Sequence, residues 1–211
     1  MGISDRKARE KQEMRAKILE AAKNLFLAEG YASVSIRGIA DAIEYSPSTI
    51  YLYFKDKDDI LYALHNIAFK QLFRRQQDNA RIEDPRLRLE AFLSTYLGFA
   101  LDNREYYDLM FIQYAPVSRI MELAEWRYGR RSYEFLKETV RQCQEKGYLV
   151  NLNLDAAAFG LWSFVHGIAS LYIRHRLPML PEDKHPDLAN QALEMLTKMI
   201  ESTQVPVKVI S

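Results

Sequence analysis

Residues 33–61 read SVSIRGIADAIEYSPSTIYLYFKDKDDIL, and they predict two short helices separated by a tight turn. The second helix begins at Ser46-Pro47, where serine can cap a free backbone amide and proline fits the first helical position. It extends to about Tyr53 and is rich in hydroxyl groups, the hydrogen-bonding groups that a helix in the major groove presents to base edges. The segment therefore predicts a helix-turn-helix that binds DNA.

A further helix is predicted before this segment. Its apolar residues recur at helical spacing from Met14 to Phe26, and Gly30 is suited to end it because glycine adopts positive φ without strain. Ser35 is placed to cap the next helix, and Ile50 and Phe54 lie four residues apart on the inner face of the third. We expect residues 1–57 to form a three-helix DNA-binding domain and residues 58–211 to form a larger helical domain.

The remainder of the chain also has helical periodicity and helix boundaries. Asp56 and the pair Asp84-Pro85 are predicted to begin two long helices, and Gly147 to follow the end of another. The 211 residues include only eight glycines and seven prolines, which argues against a loop-rich or sheet-rich protein. The pattern predicts an all-α fold of about nine helices.

Charge and cysteine content narrow the functional class. The net charge is only +1, so bulk charge does not indicate a nucleic-acid partner. Residues 1–23 hold seven basic against four acidic residues, which predicts either a basic arm that adds phosphate contacts or a solvated helix of mixed charge. Cys143 is the only cysteine, and the charged N-terminus does not resemble a secretory signal, so we expect a cytoplasmic protein.

One apolar stretch, residues 156–173, is long enough to be weighed as a membrane span. It has no flanking aromatic belt or basic loop pattern, and it contains Ser163 and His166. A helix buried by its own chain and by a second copy is the better explanation, so no membrane association is expected.

The N-terminal 65 residues resemble the TetR family of transcriptional regulators. The resemblance rests on residue type and spacing at three groups of positions: Ile18, Leu19, Ala21, Ala22, Phe26, Gly30 and Tyr31; Ser35, Ile36, Arg37, Ile39 and Ala40; and Ser46, Ser48, Thr49, Ile50, Tyr51, Tyr53, Phe54, Lys57 and Leu61. A shorter match, Trp162 with His166-Gly167, is similar to a signature in the C-terminal domain of one subgroup.

The resemblance implies which residues contact DNA. Phosphate contacts are expected from Ser35, Arg37, Tyr51, Tyr53 and Lys57, and contacts at the base edges from Ser46, Pro47, Ser48 and Thr49. The alternative is that the tyrosines belong to the core, but two residues that are two positions apart cannot both face inward on one helix. At least one of them should be exposed.

The segment departs from the family pattern at two positions. Glu44 stands in the turn where many members have glycine. Either Glu44 adopts a positive φ, with a strain of about 1 kcal/mol, or the turn has another geometry. Ser48 stands where many members have glycine early in the recognition helix. The Ser48 side chain either contacts the DNA or prevents the backbone from approaching the DNA closely. In both cases it affects which bases the protein prefers.

For the larger domain the resemblance implies a small-molecule pocket and a dimer interface. The candidate pocket residues are Tyr96, Met110, Phe111, Tyr114, Trp162 and His166, with ordinary core packing as the alternative for each. The candidate dimer contacts, small or apolar residues on the last two helices, are Ala156, Gly160, Ser163, Gly167, Ala192 and Leu196. A homodimer suits a palindromic DNA site.

These observations predict a TetR-like repressor that binds palindromic, double-stranded operator DNA as a homodimer and is released by a small apolar or aromatic effector. The alternatives are a ligand-independent or activating regulator, and a helical interaction module without DNA binding. An enzyme is not expected, because the four histidines lack metal-ligand spacing and no glycine-rich loop follows a strand. Cys143 has no neighbouring histidine in sequence to activate it. No catalytic residue, cofactor or metal is therefore predicted.

Overall fold

The computed structural model describes residues 3–111, 126–181 and 185–206. These residues form nine α-helices and no β-strand, which confirms the predicted all-α fold. The helices are α1 (Ile3–Glu29), α2 (Ile36–Ala42), α3 (Pro47–Tyr51), α4 (Lys57–Gln77), α5 (Pro85–Asp102), α6 (Arg104–Phe111), α7 (Arg127–Glu145), α8 (Leu154–Ile173) and α9 (His185–Ser202). A short 3₁₀ helix, Asp78–Arg81, follows α4.

Most of the predicted helix boundaries have the expected chemistry. The Ser35 hydroxyl accepts a hydrogen bond from the Gly38 amide at 3.1 Å, and an Asp56 carboxylate oxygen accepts one from the Asp59 amide at 2.8 Å. Asp84 accepts from two amides at the start of α5. After α1 and α7, the glycines Gly30 and Gly147 have φ of 79° and 92°. Local chemistry therefore places these helix ends where the sequence predicts them.

The described residues fall into two compact units. The first contains residues 3–69, residues 105–111 and Trp126, and the second contains residues 70–104, 127–181 and 185–206. The helix α4 begins at Lys57, in the first unit, and ends in the second. The division predicted after residue 57, based on the extent of the DNA-binding motif, stays a prediction.

The first unit is built on an apolar core shared by its helices. Ile18 and Phe26 of α1, Ile39 of α2, Ile50 of α3 and Leu61 of α4 are fully buried together. Because α3 has only five residues, it cannot be stable on its own, and Ile50 attaches it to this core.

The second unit is organised around α5, which packs against α7, α8 and α9, while α8 packs against α7. Leu93 of α5, Val140 of α7 and Val165 of α8 are fully buried. Of the described helices, only α8 is long and apolar enough to cross a membrane, with a mean hydropathy of 1.4. This helix packs against α5 and α7, and 33% of its apolar stretch is buried within the described structure.

Candidate functional site

The turn between α2 and α3 holds the two helices at a fixed angle. The Tyr45 amide donates to the Ala40 carbonyl at 3.0 Å, and the Glu44 amide donates to the Asp41 carbonyl at 3.1 Å. Glu44 has a φ of 61°, in the left-handed region that glycine occupies at least cost. Of the two geometries expected at this position, the chain adopts the strained one.

The helix α3 turns its apolar side inward and its hydroxyl groups outward. Ile50 is completely buried and Ser48 is exposed, while Pro47 and Thr49 are half-buried. The predicted capping role of the Ser46 hydroxyl is wrong, since it makes no capping bond to a backbone amide. The Thr49 amide donates instead to the Ser46 carbonyl at 2.9 Å.

The Ser46 hydroxyl instead joins two other predicted contact residues. Its oxygen lies 2.8 Å from the Ser48 hydroxyl and 3.1 Å from the Thr49 hydroxyl. The three hydroxyls form one cluster at the start of α3. Each can donate or accept, so the cluster can meet either a donor or an acceptor on a base edge.

Exposed side chains also lie at the end of α3 and just after it. Tyr51 is 57% exposed and Tyr53 is half-buried, so the expectation that at least one tyrosine is exposed is met. Leu52, between them, is 76% exposed, and it is a candidate contact that the sequence analysis missed. Its place between two tyrosines on a short helix was the available signal, because an inward-facing Ile50 turns the residue two positions later outward.

The side chain of Lys57 lies under the loop before α2. Its Nζ donates to the carbonyl oxygens of Tyr31 and Val34, both at 2.7 Å, and lies 4.2 Å from the centre of the Tyr31 ring. Partial burial lowers the pKa of Lys57, because burial disfavours the charged ammonium. Arg37, by contrast, is well exposed, with its Nε 4.0 Å from the Asp41 carboxylate. Ser35 is exposed as well.

In the second unit, three of the predicted pocket residues form a hydrogen-bonded group. The Trp162 Nε1–H donates to the Tyr96 hydroxyl oxygen at 3.4 Å, and this hydroxyl lies 3.0 Å from His166 Nδ1. If the Tyr96 hydroxyl donates to Nδ1, the neutral ring carries its proton on Nε2. Burial lowers the pKa of His166, which favours that neutral ring.

Aromatic rings surround this group. The ring centre of Trp162 lies 5.8 Å from that of His166, 6.2 Å from that of Tyr133 and 6.1 Å from that of Phe159. Tyr133 was not among the predicted pocket residues, because its charged neighbours on α7 gave no sign of an inward-facing ring. The site combines apolar rings with a few polar groups, which is typical of small-molecule sites.

The other predicted pocket residues are not in this group. Met110 is buried and Phe111 is half-buried in the first unit, where the Phe111 ring packs edge-on against Phe69 at 5.6 Å. Tyr114 lies outside the described residues. For Met110 and Phe111, this packing agrees with the alternative of ordinary core packing.

The predicted dimer residues differ in exposure. Ala156, Gly160 and Ser163 are exposed, and Gly167 and Ala192 are half-buried. Leu196 is buried within its own chain and offers little surface to a second copy. The exposed apolar side chains of α9 are instead Met195 and Met199, neighbours of Leu196 that face away from the core.

The part of the chain that the structure describes contains no group of three or more His, Cys, Asp or Glu residues able to hold a metal ion. Cys143 is buried, and this burial raises its pKa to about 12. A thiol with such a pKa is a poor nucleophile at neutral pH.

Comparison with known proteins places both parts of the chain in one family. The family model for bacterial regulatory proteins of the tetR family matches residues 18–64, and the model for the tetracyclin repressor-like C-terminal domain matches residues 89–196. The chain is 26% identical over 161 residues to the HTH-type transcriptional regulator HbdR of Aromatoleum sp. (strain CIB), which covers 75% of this chain and 69% of HbdR.

Solved structures show the same fold. The fatty acid degradation regulator FadR from Bacillus halodurans has a TM-score of 0.70 at 16% identity, covering 87% of this chain and 94% of FadR. FadR from Bacillus subtilis, solved in complex with stearoyl-CoA, has a TM-score of 0.70 at 17% identity, covering 86% and 97%. PfmR from Thermus thermophilus has a TM-score of 0.66 at 22% identity, covering 90% and 99%.

Proposed function

Since the chain belongs to the TetR family of transcriptional regulators, with a DNA-binding helix-turn-helix at its N-terminus, we propose that it is a repressor. It binds a palindromic operator as a homodimer and leaves it when a small, largely apolar effector binds the second unit. The observation that carries the proposal is the structure of α3, which is anchored by one apolar side and presents hydroxyl groups on the other.

The arrangement of α3 suits a helix that enters the major groove. Ile50 and Phe54 fix it to the core, so the exposed residues have a defined orientation. Ser48 and Thr49 are placed for base edges, and Tyr51, Tyr53 and Arg37 for the phosphates on either side. For its side chain to contact a phosphate, Lys57 would have to exchange one of its hydrogen bonds to a backbone carbonyl for a bond to a phosphate oxygen. Its backbone amide, at the start of α4, could instead donate to a phosphate without this exchange.

The exposed faces of α8 and α9 support a homodimer. Phe159 and Leu171 of α8 and Met195 and Met199 of α9 are each about half exposed or more, although large apolar side chains usually avoid water. Apart from the neighbouring backbone of its own helix, a Cβ added at Gly160 would meet no atom of the described residues within 4 Å, so their packing does not require this glycine. A second copy would cover these side chains and approach closely at Gly160.

A double variant on this face and a control variant outside it test the dimer. Met195→Glu with Met199→Glu places charges at the centre of the proposed interface, whereas Met179→Glu changes a more exposed methionine in the loop after α8. We expect the double variant to sediment as a monomer and to lose tight operator binding, and the Met179 variant to remain a dimer. A double variant that stays dimeric at micromolar concentration would contradict this interface.

The effector site is proposed at Tyr96, Trp162 and His166. The hydrogen bonds among them hold a polar group within a set of aromatic rings, so an effector with an apolar body and one hydrogen-bonding group fits the chemistry. The fold accommodates a ligand with a long apolar chain in FadR of Bacillus subtilis, which was solved with stearoyl-CoA. Binding releases the operator only if the effector prefers the conformation that does not bind DNA.

The decisive experiment is selection of bound fragments from random double-stranded DNA. A palindromic sequence bound at nanomolar concentration supports the proposal, and the absence of any preferred sequence would favour an interaction module. With the operator in hand, compounds that displace the protein can be screened. The two tryptophans allow direct detection, because Trp126→Phe leaves Trp162 as the only tryptophan and a fluorescent reporter of its site.

One variant, measured for two affinities, separates effector binding from DNA binding. Tyr96→Phe removes the hydroxyl that joins Trp162 and His166 and keeps the buried ring. We expect it to weaken effector binding about tenfold, the loss of one hydrogen bond to a buried group, with operator affinity unchanged. An equal loss in both affinities would show that Tyr96 supports the fold and not the effector.

A further inference from the structure

The helix α1 is much longer than its packing requires. It has 27 residues, or about 40 Å at 1.5 Å per residue, and its fully buried residues begin only at Ile18. Residues 4–13 are exposed on all sides. A polar helix with so little packing is marginal in water, and a binding partner would account for a helical extension of this length.

One side of this extension faces the end of the recognition helix. Lys7, Lys11 and Met14 line a shallow groove of about 360 Å³ together with Leu52 and Tyr53, and the groove also includes a glutamate of α1. Leu52 and Tyr53 are residues of the proposed DNA surface. The lysines are therefore on the side of α1 that continues that surface.

The charges in the groove favour an anion. The glutamate, Glu10, is paired with the Arg6 guanidinium at 2.8 Å. Among the residues that the structure describes, no carboxylate oxygen lies within ion-pair distance of the ammonium nitrogen of Lys7 or Lys11. The two ammonium groups are one helical turn apart, which leaves two adjacent cations on one side of the helix.

Arg15 fixes the extension to the helix-turn-helix. Its Nη1 donates to the Tyr53 carbonyl oxygen at 3.1 Å, and its guanidinium carbon lies 4.1 Å above the centre of the Phe54 ring. Arg15 follows Lys11 by one turn, so Lys11 and Lys7 lie about 6 Å and 12 Å further along the axis of α1. Any movement of α3 into the groove therefore carries the lysines with it.

We propose that residues 3–14 of α1 are a helical extension of the DNA-binding surface, in which Lys7 and Lys11 bind backbone phosphates flanking the bases that α3 contacts. The inference rests on the operator binding proposed above. Charge complementarity and continuity with α3 identify the partner as duplex DNA. At 3.4 Å per base pair, a reach of about 12 Å corresponds to three or four flanking base pairs per half-site.

The test compares three single-charge variants on the selected operator at several salt concentrations. Lys7→Ala and Lys11→Ala remove the proposed contacts, and Arg9→Ala removes an exposed charge from the opposite side of the same helix. Alanine is the best helix former, so α1 remains helical, which circular dichroism can verify. Each lysine variant should lower the salt slope of the dimer by about 1.8, from two contacts at about 0.9 each, and Arg9→Ala should leave it unchanged.

A second arm distinguishes flanking phosphates from a general charge effect. On fragments trimmed to the operator core, the lysine variants and the wild type should bind alike, and Lys11→Arg should bind as the wild type on long and short fragments. Lysine variants that match Arg9→Ala on long fragments, or that lose affinity equally on trimmed ones, would overturn the inference. Failure of the wild type to select any operator would instead refute the proposed function.

Discussion

Replacing Lys57 with methionine should destabilise the first unit before any effect on DNA binding is considered. Methionine keeps an unbranched apolar side chain of similar length and removes only the ammonium. In the wild type this ammonium donates to the carbonyl oxygens of Tyr31 and Val34, each at 2.7 Å, and lies over the Tyr31 ring. Lys57 therefore joins the start of α4 to the loop between α1 and α2.

The expected loss follows from these contacts. Hydrogen bonds from a charged donor contribute about 1.5–3 kcal/mol each, and an exposed cation–π contact contributes about 0.5–1 kcal/mol. Lys57 is only half-buried, so water can replace part of what is lost. We expect the free energy of unfolding to fall by about 2–3 kcal/mol. For a chain of 150–250 residues, about 2–4 °C per kcal/mol gives a fall in melting temperature of about 4–12 °C.

The measurement is thermal and urea unfolding by circular dichroism at one protein concentration. Lys55→Met is the control, since Lys55 is exposed and loses the same charge two residues away. A Lys57 variant that melts with the Lys55 variant would refute the structural role. Operator binding of the Lys57 variant, measured well below its melting temperature, then tests the phosphate contact. An unchanged salt slope would exclude it.

Three other predictions concern single positions. Burial lowers the pKa of His65 to about 4, so between pH 6.5 and pH 4 the unfolded chain binds a proton at this residue and the folded chain does not. The free energy of unfolding should therefore fall by about 3 kcal/mol over this range, and urea titrations of His65→Leu should lack this part of the loss. Glu44→Gly should be about 0.5–1 kcal/mol more stable than Glu44→Ala, which keeps the Cβ at positive φ; equal melting temperatures would contradict strain at this turn. Thr49→Ala should change the base preference found by selection more than it changes affinity for random DNA, and the reverse result would assign Thr49 to phosphates.

The sequence predicted what local rules determine. Ser35, Asp56 and Asp84 begin helices because their side chains can accept amide hydrogen bonds, and Gly30 ends one because it has no Cβ. Each rule involves residues a few positions apart, so it needs no knowledge of the tertiary structure. The same approach was wrong for the Ser46 hydroxyl, where nearby hydroxyls compete for the capping group.

Features that depend on contacts between residues far apart in the chain could not be predicted from the sequence. The sequence analysis predicted a phosphate contact for Lys57 and did not foresee its bonds to the loop before α2, because its carbonyl partners are 23 and 26 residues away. Leu196 belongs to the apolar side of α9. This side is so wide that some of its residues, such as Leu196, face the core and others, such as Met195, face outward. Periodicity identifies an apolar side of a helix and does not say whether the same chain or a second copy covers it.

The shortness of α3 explains why the helix-turn-helix was predictable and the base preference was not. Five residues cannot hold a helix in place, so the position of α3 depends on its surroundings. Ile50 and Phe54 attach it to the core, and Arg15 of α1 contacts Tyr53 and Phe54 just after its end. These supports require particular residue types at fixed spacing, which a sequence pattern can capture. The outward side chains, Ser48 among them, are not packed in the core, so the fold constrains their residue types less and a family pattern does not fix them.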